Sequence, residues 1–201
     1  MGAVRKFVLG YSGNLGRVHD VEAIVELLGA LDDEPETVVL FIGAGLGYRR
    51  LKDIVSDRRI AKAMFRPYQR RERLGESLTL PDLHIVSLRS DCEGLVMPSK
   101  IYGILAAGRP LVSIGSSTGS VARIVRDFGA GLVATPGRID ALATEIGALR
   151  RDPARLEQMA ANARRAYEIT FSKDVSLRAW IYHLTALAPA GAHVTKAVAA
   201  G

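Results

Sequence analysis

Glu93, Ser99 and Lys100 stand close together in the stretch DCEGLVMPSK at 91–100, and between them they offer a carboxylate, a hydroxyl and an ammonium. A carboxylate can accept hydrogen bonds from sugar hydroxyls, and an ammonium beside a helix start can offset phosphate charge. A second group is GYSGNLGRVHD at 10–20. There Gly13 and Gly16 let backbone amides close on a phosphate, while Arg17 and His19 add charge or hydrogen bonds. A third, IGAGLGYRR at 42–50, superficially resembles a dinucleotide fingerprint, but no acidic residue closes the next strand where a ribose clamp would lie. Each has a plainer reading: a capping Ser99 and a surface Lys100, a tight turn with a solvated arginine, and glycines needed for positive φ. The spacing at 10–20 is not G-x-G-x-x-G, and lysine is absent from the Walker position. Metal and serine-hydrolase chemistry find no support, since His19, His84, His183 and His193 lack ligand spacing, Cys92 stands alone and no G-x-S-x-G elbow occurs.

A scaffold must hold these groups, and hydrophobic periodicity describes one. Strands are expected at 7–11, 37–42, 63–65, 84–88, 111–114 and 131–134. Between them, Asp20 caps a helix whose apolar face is Val21, Ile24, Val25, Leu28 and Leu31, and a second helix covers 48–55. Pro98 and Ser99 open a short helix with Ile101, Ile104 and Leu105 on one face, stopped by Gly108 with Pro110 two residues later. Gly103 in the middle of that helix costs about 1 kcal/mol relative to alanine, which implies a close neighbour. Val121, Ile124, Val125 and Phe128 form another face ending at Gly129, and helices at 139–149, 154–169 and 175–187 follow the last strand. Trp180, Leu177, Ile181 and Leu184 read as a packing face and Met159 as core. Residues 188–201 are small and weakly patterned, the mark of a frayed end.

Six strands alternating with helices imply an α/β, Rossmann-like doubly wound parallel sheet with C-terminal helices and ligands at the carboxyl ends of the strands. With no linker or repeat, residues 1–201 read as one domain. The net charge of +6 raises nucleic acid as a partner, but the basic residues are dispersed pairs such as Arg70-Arg71 and Arg164-Arg165, with no aromatic-interleaved basic strand. Phosphorylated small molecules or an anionic membrane surface fit the sign equally well. A single cysteine, no signal-peptide core at the N-terminus and no apolar run of membrane-spanning length give a cytoplasmic expectation.

Three segments together, YSGNLGRVHD, FIGAGLGYRRL and EGLVMPSKIYGILAAGRPLVSIG, closely resemble the C-terminal, donor-binding domain of GT-B-fold glycosyltransferases of the large group 1 retaining type. The resemblance covers nearly the whole chain in order, and PSK…AAGRP is similar to a subset acting on polysaccharide precursors. It implies one half of a GT-B fold. A UDP- or GDP-linked sugar would be bound as substrate with no cofactor, and an N-terminal acceptor-binding half would complete the cleft. It implies that Gly13, Asn14 and Arg17 face the diphosphate, Glu93 the sugar, Pro67 and Tyr68 the base, and Ser99 and Lys100 the phosphates or ribose. Two departures stand out. Gly103 occupies the place where many group 1 enzymes carry a ribose-holding Glu. Asn14 and His19 stand where an arginine and a lysine are usual. The reading that follows is a glycosyltransferase donor domain for polysaccharide or glycolipid synthesis, inactive without its other half and able to sit peripherally on the membrane's inner face. A nucleotide-sugar 2-epimerase-like half, or a non-catalytic nucleotide-sugar-binding module acting with a partner chain, are the alternatives.

Overall fold

Strongly apolar strands set between amphipathic helices assemble into a two-faced sheet, and the computed structural model describes residues 5–187 of it. The elements run β1 (Phe7–Asn14), α1 (Val21–Ala30), β2 (Thr37–Ala44), α2 (Leu46–Asp57), β3 (Ala63–Arg66), a 3-10 turn (Arg71–Arg73), α3 (Leu74–Thr79), β4 (Leu83–Ser87), α4 (Lys100–Ala106), β5 (Leu111–Ile114), α5 (Ser120–Phe128) and β6 (Gly131–Ala134). Three helices follow: α6 (Ile139–Arg150), α7 (Pro153–Ala166) and, after a π-helical turn over Tyr167–Phe171, α8 (Lys173–Leu187). All six strands are parallel in the order β3-β2-β1-β4-β5-β6, a doubly wound sheet whose order reverses between β1 and β4.

Each sheet face has its own core. Leu9, Tyr11, Val39, Phe41, Ile85 and Val112 meet the buried stripes of α1, α2 and α6 on one side. Val86 and Leu111 meet Ile101, Ile104 and Leu105 of α4, Val121 and Val125 of α5 and Ala163 of α7 on the other. Asp20 caps α1 by accepting from the Ala23 amide, and Gly129 ends α5 at φ 62° in the left-handed conformation that glycine adopts without strain. Met159 packs against the first core as expected.

Two features decide where a crevice can open. First, β1 and β4 pair only through Leu9 with Leu83 and Gly10 with His84, after which the strands separate. Asp82, 2% exposed, secures the start of this junction by exchanging bonds of 2.8 Å with the Val8 backbone at both its amide and its carboxylate. Second, β1 and β2 extend past their expected ends, to Asn14 and Ala44, so that Gly13 and Gly43 pair directly across the ladder. A Cβ on Gly43 would overlap the Gly13 carbonyl oxygen, which explains that glycine by backbone approach.

The segment between β3 and β4, where the sequence pattern marks no element, holds the 3-10 turn and α3. Two expectations need correction. Ser99 is helical itself, at φ −61° and ψ −19°, and its side chain makes no capping bond. The face of Leu177, Trp180, Ile181 and Leu184 is not packed, for α8 buries nothing among the described residues and Trp180 is 66% exposed. The expected fraying at 188–201 lies outside the described residues.

Candidate functional site

Where β1 and β4 diverge, a cavity of about 500 Å³ opens at the carboxyl end of the sheet. One wall is the end of β1, Ser12, Gly13 and Asn14, continued by Val18 and His19; the facing wall is Met97, Pro98, Ser99, Lys100 and Gly103 at the start of α4. The gap between β1 and β4 is closed from below by the β1–α1 loop. His19 Nδ1 lies 2.7 Å from the Ser87 carbonyl and the Arg89 amide donates to the Val18 carbonyl at 2.9 Å. The carbonyl can only accept, so Nδ1 carries the proton. Tyr68 and Gln69 after β3, with Leu74, Ser77 and Leu78 of α3, form the apolar far end.

Seven of the residues singled out in the sequence therefore meet at this cavity: Gly13, Asn14, His19, Tyr68, Ser99, Lys100 and Gly103. Arg17 does not. It is exposed and lines a separate depression with Gly16, Gly45 and Arg49. Glu93 is also outside the lining, its carboxylate lying against Gly119 at the start of α5, where the positive helix end favours an anion. Gly103 has the close neighbour its position demands: a Cβ there would come within 3.2 Å of Leu78 Cδ1 across the cavity.

Lys100 dominates the electrostatics. Its Nζ hydrogen-bonds the Tyr11 hydroxyl, lies 3.4 Å from the Asn14 carbonyl and sits 3.7 Å above the Tyr11 ring. None of the ion pairs among the described residues involves it. Burial pulls its amine down to about 7, because a charged form without a counter-ion loses its hydration. His19 is lowered as well, by burial first and then by the charge of Lys100, against the pull of the Ser87 carbonyl. Beneath them the wholly buried His84 donates Nε2–H to the Leu78 carbonyl at 2.9 Å, and burial lowers it to about 4.

The helices that follow the two glycine loops have their N-terminal amides partly engaged. At α1 the Asp20 carboxylate takes one, and at α2 the Gly47 and Tyr48 amides both bond the Leu15 carbonyl, at 2.8 and 3.3 Å. The site's capacity for an anion rests on Lys100 and on the polar atoms around it. Ser12, not singled out although it stands in the 10–20 segment, adds a hydroxyl that lines the cavity and bonds to nothing among the described residues. Tyr11 was missed because it ends the expected strand at 7–11, where a strand pattern does not show what its hydroxyl does. No group of three or more His, Cys, Asp or Glu among the described residues is arranged to hold a metal ion, and no described helix is long and apolar enough to cross a membrane.

Known proteins converge on this architecture. The putative colanic acid biosynthesis glycosyl transferase WcaI of Escherichia coli K12 is 29% identical over 177 residues, covering 88% of this chain and 42% of the relative. The probable glycosyltransferase WbjE of Pseudomonas aeruginosa is 28% identical over 141 residues, covering 69% and 34%. The chain thus spans less than half the length of these curated relatives. Among solved structures, Anabaena HepE in complex with UDP and glucose superposes with a TM-score of 0.73 at 18% identity, over 92% of this chain and 49% of the other. WaaG, a glycosyltransferase involved in lipopolysaccharide biosynthesis, superposes with a TM-score of 0.68 at 16% identity, over 87% and 46%. At these identities the superpositions establish the fold. The family model for glycosyl transferases group 1 matches residues 3–166, and the chain belongs to that family.

Proposed function

We propose that this chain is the donor-binding half of a glycosyltransferase, holding a nucleoside-diphospho-sugar in the cavity between β1 and α4. The observation that carries the reading is Lys100, a half-buried cation with no carboxylate partner among the described residues, at the point where doubly wound sheets bind ligands. A diphosphate is the counter-ion it lacks. The base would lie in the apolar end near Tyr68, Leu74 and Leu78, and the diphosphate against Gly13, Asn14, His19 and Ser99. The sugar would point along the β4–α4 loop that carries Glu93. Gly103, in the place of the family's usual ribose-holding carboxylate, leaves ribose contacts to Ser99 and the backbone.

Transfer, with retention at the anomeric carbon, needs charge stabilisation on the departing nucleoside diphosphate, and an ammonium held in the cleft supplies it. No cofactor enters this scheme. The acceptor would be bound by an N-terminal half, so the isolated domain should bind nucleotide and transfer little. UDP is the donor nucleotide we favour, because HepE was solved with UDP, and a polysaccharide or glycolipid acceptor fits the names of WcaI and WaaG.

Calorimetric titration of the folded chain with UDP, GDP and ADP tests this, with Lys100→Ala alongside. Saturable binding of one nucleotide is expected, weakened about 10- to 100-fold by the substitution, as suits a lost charge-assisted bond. A folded chain that binds none of the three at millimolar concentration would overturn the reading.

A further inference from the structure

Tyr11 is wholly buried on β1, yet it does more than fill the core. Its hydroxyl donates to the Asn14 carbonyl at 2.8 Å, which leaves the oxygen lone pairs to accept from Lys100 Nζ. The same side chain offers the face of its ring to that ammonium, 3.7 Å from the centroid, and the His19 ring meets it edge-on at 5.8 Å. A lysine is a point charge on a flexible stem, so the place of its charge is set by what grips the end. Here one residue grips it twice, and Lys100 lies directly over Gly13, within 3.9 Å of where a Cβ there would stand.

We propose that Tyr11 is the positioning residue of this site, fixing the Lys100 ammonium as the seat of the donor's diphosphate and tying capture of that anion to uptake of a proton at Nζ. The proposal rests on the donor-binding reading above.

The neighbours support the coupling. Tyr11 and His19 face Lys100 from β1 and its loop, Tyr68 bears on Tyr11 from beyond β3, and His84 lies behind from β4. Burial holds both histidines towards the neutral form, and the Lys100 charge adds to the effect on each, after that of Arg109 at His84. No carboxylate among them stabilises the ammonium, whose midpoint stands at about 7. An arriving dianion raises that midpoint, so above pH 7 each nucleotide bound draws a proton from solvent and affinity falls as pH rises.

Two readouts test this. In chain labelled with [¹³C]lysine, the Lys100 Cε resonance, assigned by its loss in Lys100→Arg, reports the amine's midpoint without any nucleotide. It is expected near 7, and about one pH unit lower in Tyr11→Phe, which keeps the buried ring and removes one acceptor of the charged donor. A Lys100 midpoint in the ordinary lysine range, or one that Tyr11→Phe leaves in place, overturns the positioning role. The second readout is calorimetry with UDP at pH 7.5 in two buffers of different ionisation enthalpy. Proton uptake is expected in the native chain, while Lys100→Arg, whose guanidinium stays charged, should bind more weakly and without uptake. In Tyr11→Phe the loss of affinity should grow with pH, whereas a merely structural defect lowers affinity equally at every pH. Uptake that survives Lys100→Arg overturns the coupling. If the lysine titrates as expected but UDP binds to no variant, the donor reading and the coupling fall together while the positioning role stands.

Discussion

The loops after β1 and β2 begin alike, each a strand running into glycines and then a helix, yet only the first borders a deep cavity. After β2, the α2 amides are taken by the Leu15 carbonyl, and the basic side chains beside the loop, Arg17 and Arg49, are exposed. After β1, a lysine from a distant element reaches over Gly13 into a half-buried position that strips part of its hydration. A charge in bulk water gains little from meeting an anion, whereas one already stripped of hydration gains much. Glycine spacing opens both loops, and what is packed behind them decides which can hold an anion.

The two loops are nonetheless one mechanical unit, because Gly13 and Gly43 pair at the top of the β1–β2 ladder. Gly43→Ala pushes a Cβ into the Gly13 carbonyl, against backbone that cannot swing aside. The largest stability loss should follow, about 3–5 kcal/mol in denaturant unfolding, with UDP binding lost as the β1 loop shifts. A loss below about 1 kcal/mol would mean that the ladder end is slack and the loops independent.

His84 offers a way to titrate the floor beneath the first loop without touching the second. Its folded midpoint, about 4, lies below the ordinary histidine value, so between the two the unfolded chain binds more protons. Stability therefore falls as pH drops from about 7 towards 4, by about 3 kcal/mol in all. His84→Gln, which can still donate to the Leu78 carbonyl, should flatten that slope in melting curves taken across the range. An unchanged slope would place the acid sensitivity elsewhere.

The framework was legible because its signals are local and periodic. β5 and β6 match their expected bounds, Asp20 caps α1, and the buried face of Ile101, Ile104 and Leu105 follows helical spacing. α3 was not legible, since LGESLT is too short to show a period, and it completes the cavity wall. The α8 face has helical spacing too, but spacing says only that residues share a side, not that anything covers it. Lys100 could be marked as a candidate from its place after a strand and loop. Its burial, its missing counter-charge and its hold on Tyr11 arise from contacts between residues far apart in sequence, which no local pattern records.

The smallest effects discriminate the loops most finely. Arg17 belongs to the first loop by sequence but lines the second depression, with Arg49 opposite. If proximity in sequence governed, Arg17→Ala would approach Lys100→Ala in its effect on UDP affinity. The geometry argues otherwise: an exposed guanidinium outside the cavity contributes only a screened attraction, of at most about 1 kcal/mol, and Arg49 less again. Arg17→Ala should therefore weaken UDP at most about five-fold in calorimetry, and that loss should vanish in 0.5 M salt, while the Lys100→Ala loss persists. Should Arg17→Ala instead match Lys100→Ala at high salt, the β1–α1 loop must fold over the ligand on binding, and the two loops would be parts of one phosphate site.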